Sequence, residues 1–189
     1  MKKYKIIDSE LCICLGGGFE FSCKVVEYNN YIYVFCVYNE SQNVYVYRKE
    51  DYKDLFNRYY EEEGTENITP CDIFTSEWEF MEEDMLGYGV LGSLDDKYFY
   101  DKDYINNYLD IEIKKYFSIV TGYDRIIKNL QSDDPNGTWD EIIFENKFDY
   151  IQSIKELKYS LNCCIDEFKN DIECYEFYKE QLNLLNDIF

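Results

Sequence analysis

The sequence contains no His and no Ala, and it has only two Pro and three Arg, the latter against sixteen Lys. Without His, a nucleophilic triad lacks its usual base, and a zinc site lacks the imidazoles that commonly complete it. No apolar run approaches the roughly 18 residues that a membrane span requires. Residues 1–8 alternate charge with Ile and Tyr and contain no apolar stretch of the kind that drives secretion, which points to a cytoplasmic protein. The missing Ala, beside fifteen Asn and abundant Ile and Tyr, is what an AT-rich coding sequence tends to leave. It points to a low-GC bacterium or one of its mobile elements.

What is present is size, rings and negative charge. A chain of 189 residues can bury roughly two-thirds to three-quarters of its unfolded surface and needs no disulfide staples. Hydrophobic residues make up 46% and charged ones 31%, a globular balance in which 21 Tyr, 13 Phe and 2 Trp supply much of the buried area. The eight cysteines (Cys12, Cys14, Cys23, Cys36, Cys71, Cys163, Cys164 and Cys174) are read as reduced, mostly buried small hydrophobes.

The charge is unevenly spread. Residues 1–49 hold five acids and six bases, whereas residues 50–103 hold seventeen acids and four bases, and residues 104–189 seventeen acids and nine bases. The acidity therefore begins at Glu50, and the net charge of -20 exceeds the magnitude of about 2 to 8 that solubility asks for. The excess costs self-repulsion.

Hydrophobic patterning predicts an α+β fold, an N-terminal antiparallel β-meander followed by a mostly helical acidic part ending in a long helix or helical hairpin. Leu11, Ile13 and Leu15 alternate with Cys12 and Cys14, and Phe19, Phe21 and Cys23 alternate with Glu20 and Ser22. Residues 31–38 and 44–47 are continuous β-branched and aromatic runs, with turn chemistry at 29–30 and 39–43. From Glu50 the period becomes helical, with Tyr52, Leu55, Phe56, Tyr59 and Tyr60 on one face. Ser76 and Glu79 form a capping-box signal for a helix through Trp78, Met81 and Met85, and Gly87, Gly89 and Gly92 mark a loop. Residues 98–131 mix the two periods, and helix is favoured. A turn at 133–137 and a second capping box at Thr138 and Glu141 follow. Beyond Gly137 neither Gly nor Pro occurs, and the apolar spacing predicts one long helix or a hairpin broken near 162–164. The expected organisation is a sheet lobe (1–49), an acidic helical and loop region (50–137) and C-terminal helices (138–189) within one compact domain.

Four local patterns invite a catalytic or ligand-binding reading, and each has a simpler one. Gly16, Gly17 and Gly18 lack the spacing of a phosphate loop and join two expected strands, so they read as a hairpin turn or bulge. The cysteines contain no C-x-x-C pair. Placing Gly137 at the sixth position of a calcium loop puts Ser132 first and Ile143 last, so the first ligand and the closing Glu are missing. Asp103 or Asp110 with Glu112 and Lys114 loosely resembles the acid-then-E-x-K set of restriction-type nucleases, a match that arises easily among so many acids and lysines. No enzyme activity, cofactor or metal is expected.

The acidic stretch itself exceeds an ordinary solvated face. Glu61, Glu62 and Glu63, then Glu79, Glu82, Glu83 and Asp84, then Asp95, Asp96, Asp101 and Asp103 are interleaved with tyrosines that include Tyr59 and Tyr98. Rows at helical spacing set carboxylates roughly 4.5 to 6 Å apart, comparable with the charge spacing of a nucleic-acid backbone. Tyr offers contact area at low entropic cost. These thirteen residues form the predicted partner-binding surface for a basic protein, foremost a nucleic-acid-binding enzyme, with no membrane or direct nucleic-acid binding expected. In charge, size and apparent low-GC origin the chain is similar to the small acidic phage-encoded inhibitors, including anti-restriction and anti-CRISPR proteins. The likeness implies a nucleic-acid-mimic inhibitor of a nuclease. The alternatives are an immunity protein neutralising a basic toxin and an oligomeric structural or adaptor module.

Overall fold

The computed structural model describes residues 4–12, 21–38, 41–64, 67–76, 84–95, 98–99, 101–137, 139 and 150–188. It divides into two compact units, Met1–Ile113 and Lys114–Phe189. The architecture is α+β, an antiparallel N-terminal sheet followed by a mostly helical part.

In the first unit, strands β1 (Lys5–Cys12), β2 (Phe21–Tyr28), β3 (Tyr31–Tyr38), β4 (Ser41–Arg48) and β5 (Gly87–Val90) form one antiparallel sheet in the order β1-β2-β3-β4-β5. The β2–β3 turn is made by Asn29, whose φ of 56° is a left-handed conformation that Asn tolerates. Both faces of the central strands are buried, which explains their continuous rather than alternating apolar character. On one face Phe21, Cys23, Val25, Val34, Tyr45 and Tyr47 pack with Tyr52 and Leu55 of helix α1 (Lys49–Glu63) and with Ile73 and Phe74 of helix α2 (Pro70–Ser76). On the other, Lys24 bonds Asp110 and the carbonyl of Asn106, both on helix α3 (Lys102–Ser132).

Helix α2 adds to the sequence reading. It ends at Ser76, and the helix expected from Ser76 through Trp78 and Met81 falls on residues outside those described. The start of α2 is set by Thr69, whose N–H and hydroxyl both donate to the Asp72 carboxylate at 2.8 Å, while Pro70 occupies the first helical position where no N–H is needed. Met85 is not helical, and Trp78, Glu79 and Met81 lie outside the described residues. Gly87 and Gly89, read as loop, belong to β5, since pairing with Val46 and Val44 of β4 overrides their turn preference. Strand β1 begins well before Leu11, and Ser41, Gln42 and Asn43 are strand rather than turn. Ile13, Leu15, Gly16, Gly17, Gly18 and Phe19 lie outside the described residues, as do Thr138 and Glu141.

Residues 102–132 are helical, and Ile105, Leu109, Ile113 and Phe117 are buried at a spacing of four while Ile111 is exposed. The apparent alternation at Ile111 and Ile113 is one exposed and one buried helical position. The second unit contains the rest of α3, helix α4 (Tyr150–Glu167) and helix α5 (Ile172–Ile188). Its buried side chains include Phe117, Tyr123, Leu130, Leu157, Leu161, Tyr178 and Leu185. The C-terminal hairpin breaks at residues 168–171, not near 162–164. Asn162 is helical, its side-chain amide donating back to the Lys158 carbonyl at 2.7 Å. Asp171 starts α5 by accepting the N–H groups of Glu173 and Cys174 at 3.1 and 3.2 Å.

Candidate partner-binding surface

Helix α1 positions the first acidic group. Its apolar stripe turns Tyr52 and Leu55 into the core, which forces Glu50, Asp54, Asn57 and Glu61 outward at intervals of three and four. Glu61 and Glu63 are exposed and occupy the last turn, which Gly64 closes in a left-handed conformation with its N–H on the Tyr60 carbonyl at 2.9 Å. Glu62 lies in the same turn. The exposed carboxylates of Glu61 and Glu63 therefore lie at a helix C-terminus, where the dipole favours a cation.

Two bases of this region, Lys49 and Arg58, have carboxylate partners outside the last turn. Lys49 bonds Glu27 at 2.6 Å, and this hydrogen bond holds the Glu27 carboxyl below the usual carboxylate range. Arg58 pairs with Asp84. None of the five described helices carries a base in its last turn. Helix α4 ends on the exposed Asp166 and Glu167, and Asp187 lies in the last turn of α5.

The remaining predicted residues divide by what they do. Asp84 is half-buried in its pair with Arg58, and Asp101 caps α3 by accepting the Tyr104 N–H at 3.0 Å, so both have structural work. Tyr59 is half-buried against the core around Phe74. Tyr98 stacks on Tyr104, ring centroids 3.8 Å apart and planes within 8°. Asp95 and Asp103 are exposed. Glu79, Glu82, Glu83 and Asp96 lie outside the described residues. The surface the structure does bring together is thus Glu50, Asp54 and Glu61 on one side of α1, with Glu63 two positions on and turned to another side of the same end; Glu50 and Asp54 were not among the predicted partner-binding residues. The period of α1 was the signal for them.

The other chemical patterns find structural uses. Asp110 and Glu112 are two positions apart on a helix and point to different sides. Asp110 meets Lys24 at 2.6 Å, whereas Glu112 accepts the Gly92 N–H at 3.0 Å. The two carboxylates do not converge on a shared ion. Asp134 accepts the Tyr178 hydroxyl at 2.6 Å and the Asn136 N–H at 3.1 Å, which accounts for the turn at 133–137. Among the described residues no group of three metal-ligating side chains converges, and no helix is long and apolar enough to cross a membrane. Cys23, Cys36, Cys71 and Cys174 are buried free thiols, and burial pushes the Cys36 thiol up to about 12.

Comparison with protein-family models, with curated proteins and with solved structures finds no match to this chain. A functional reading rests on the geometry alone.

Proposed function

We propose that the chain is an acidic binding protein that presents carboxylates to the basic nucleic-acid-binding surface of a nuclease or another DNA- or RNA-binding enzyme, and inhibits it as a nucleic-acid mimic. The observation that carries this reading is the placement of Glu61 and Glu63, exposed at the negative end of α1 in a last turn that contains no base. Acids in that position oppose helix stability. A basic partner supplies the missing cations, and a net charge of -20 steers such a partner into fast encounter. Source in a low-GC bacterium or its phage is part of the same proposal.

The test is affinity capture of the tagged chain from nuclease-treated low-GC bacterial lysate, with elution by rising salt. The expected product is a nucleic-acid enzyme released steeply by salt, inhibited by the wild-type chain and much less by Glu61→Lys/Glu63→Lys. A small basic toxin as the only product would replace inhibition with immunity. Retention of full inhibition by the charge-reversed variant would remove the α1 acids from the account.

A further inference from the structure

Helix α3 carries a row of bases in a chain otherwise dominated by acids. Between Ile113 and Ser132 it holds Lys114, Lys115, Arg125 and Lys128 against a single acid, Asp124, where the whole chain has 19 bases and 39 acids. Lys114, Ser118, Thr121, Arg125 and Lys128 follow one another at intervals of four and three, so they form one straight row about 21 Å long. Lys114, Ser118, Arg125 and Lys128 are exposed, and Thr121 is half-buried. Among the described residues no carboxylate pairs with the three bases of this row. Asp124 stands four positions before Lys128, a spacing at which helical ion pairs form, yet these two make none. The other arginines do have acids, Arg48 with Asp51 at 3.8 Å and Arg58 with Asp84. The whole row lies within the second compact unit.

We infer that this row binds the phosphate backbone of a single-stranded nucleic acid, a contact that goes beyond the carboxylates of α1 and does not depend on them. Charge and composition select the occupant. Lys, Arg and the hydroxyls of Ser and Thr are side chains that commonly contact phosphate, and the row from Lys114 to Lys128 contains nothing else. The Ser118 hydroxyl donates to the Lys114 carbonyl at 2.9 Å and the Thr121 hydroxyl to the Phe117 carbonyl at 2.6 Å, bonds that a rotating hydroxyl can exchange for a phosphate oxygen. An extended strand can follow a straight row, whereas each strand of a duplex winds away from it. The acidic side of α1 on a second copy is the weaker occupant. Exposed side-chain ion pairs contribute little, while a phosphate contact also releases the counterions condensed on the nucleic acid. The net charge of -20 opposes any polyanion at long range, but it is screened beyond about 8 Å at physiological ionic strength, and no acid stands on the row.

The probe is a short oligothymidylate, titrated into the full chain labelled for amide NMR at several salt concentrations. The amides from Lys114 to Lys128 are expected to shift, and the logarithm of the binding constant should fall against the logarithm of salt with a slope of about -2, from about 0.7 for each of roughly three contacts. Arg125→Gln keeps the helix propensity of an exposed position. It should reduce that slope by about 0.7 and weaken binding about tenfold at about 0.03 M salt, with the circular dichroism spectrum unchanged. Adding Lys114→Gln and Lys128→Gln should remove the binding. Absence of shifts at low salt, or shifts that survive all three substitutions, would overturn the row as a phosphate site. Equal binding of a duplex of the same length would overturn the single strand. Concentration-dependent shifts of the same amides without oligonucleotide, lost in Arg125→Gln, would give the row to a second copy instead. None of these outcomes depends on Glu61 or Glu63, so the reading of α1 stands or falls separately.

Discussion

Removing the charge of Glu61 and Glu63 measures whether the acids at the end of α1 are held at the expense of stability. Both are exposed and both lie in the last turn, with no basic residue beside them in that turn. An acid at a helix C-terminus is unfavourable by about 0.3 to 1 kcal/mol at low ionic strength. Gln matches Glu in size and nearly in helix propensity, so the substitution isolates the charge. Glu61→Gln/Glu63→Gln is therefore expected to gain about 1 kcal/mol. With a urea slope of about 2 kcal/mol/M, the midpoint followed by far-ultraviolet circular dichroism rises by roughly 0.5 M. At about 1 M salt the Debye length falls to about 3 Å, and the gain should nearly vanish. An unchanged or lower midpoint at low salt would refute the reasoning, since the acids would then be neutral to the fold or part of it, and their position would no longer argue for a partner.

Two further predictions concern the interior. Asp110→Ala removes the carboxylate from Lys24, whose side chain is 6% exposed, and leaves it one hydrogen bond to the Asn106 carbonyl; the expected loss is about 3 kcal/mol in chemical denaturation, and Lys24→Met in the same chain should recover most of it. Burial pushes Cys36 and Tyr45 up to about 12, from 9.0 and 10.0, so above pH 9 the unfolded chain binds fewer protons than the folded one and stability falls as pH rises toward 12. Urea midpoints should be level between pH 7 and 8 and drop above pH 9, with Cys36→Val reducing the slope; a flat profile to pH 11 would contradict the burial.

The sheet and α1 were legible because their signals are local. Val34, Phe35, Val44 and Val46 belong to runs that only a strand covered on both sides explains, and Tyr52 and Leu55 fall on one helical face. β5 was hidden because a Gly-Tyr-Gly-Val segment carries turn chemistry, and only the register with β4 makes it a strand. The break between α4 and α5 was misplaced because neither Gly nor Pro marks it. The real signal was Asp171 as a cap, and Asn162 looked like a breaker only while its bond to Lys158 was invisible. At the acidic surface, the exposure of Glu61 followed from the period of α1. The removal of Asp84 by Arg58, and of Asp110 by Lys24, could not be read from the sequence, since the partners lie 26 and 86 residues away.

The division between a near-neutral sheet lobe and acidic helices makes the proposed acidic contact separable from the fold by experiment. The central strands are buried on both faces, and the buried base Lys24 has a carboxylate partner, so the sheet core does not depend on the exposed carboxylates of α1. Charge removal at Glu61 and Glu63 therefore leaves the native fold in place and at least as stable, and any loss of binding in that variant reports on the surface. A contact made by those carboxylates weakens as salt rises, because exposed charges are screened. A basic partner held by them should lose association rate with salt, and charge reversal at Glu61 should slow association much more at low salt than at high salt.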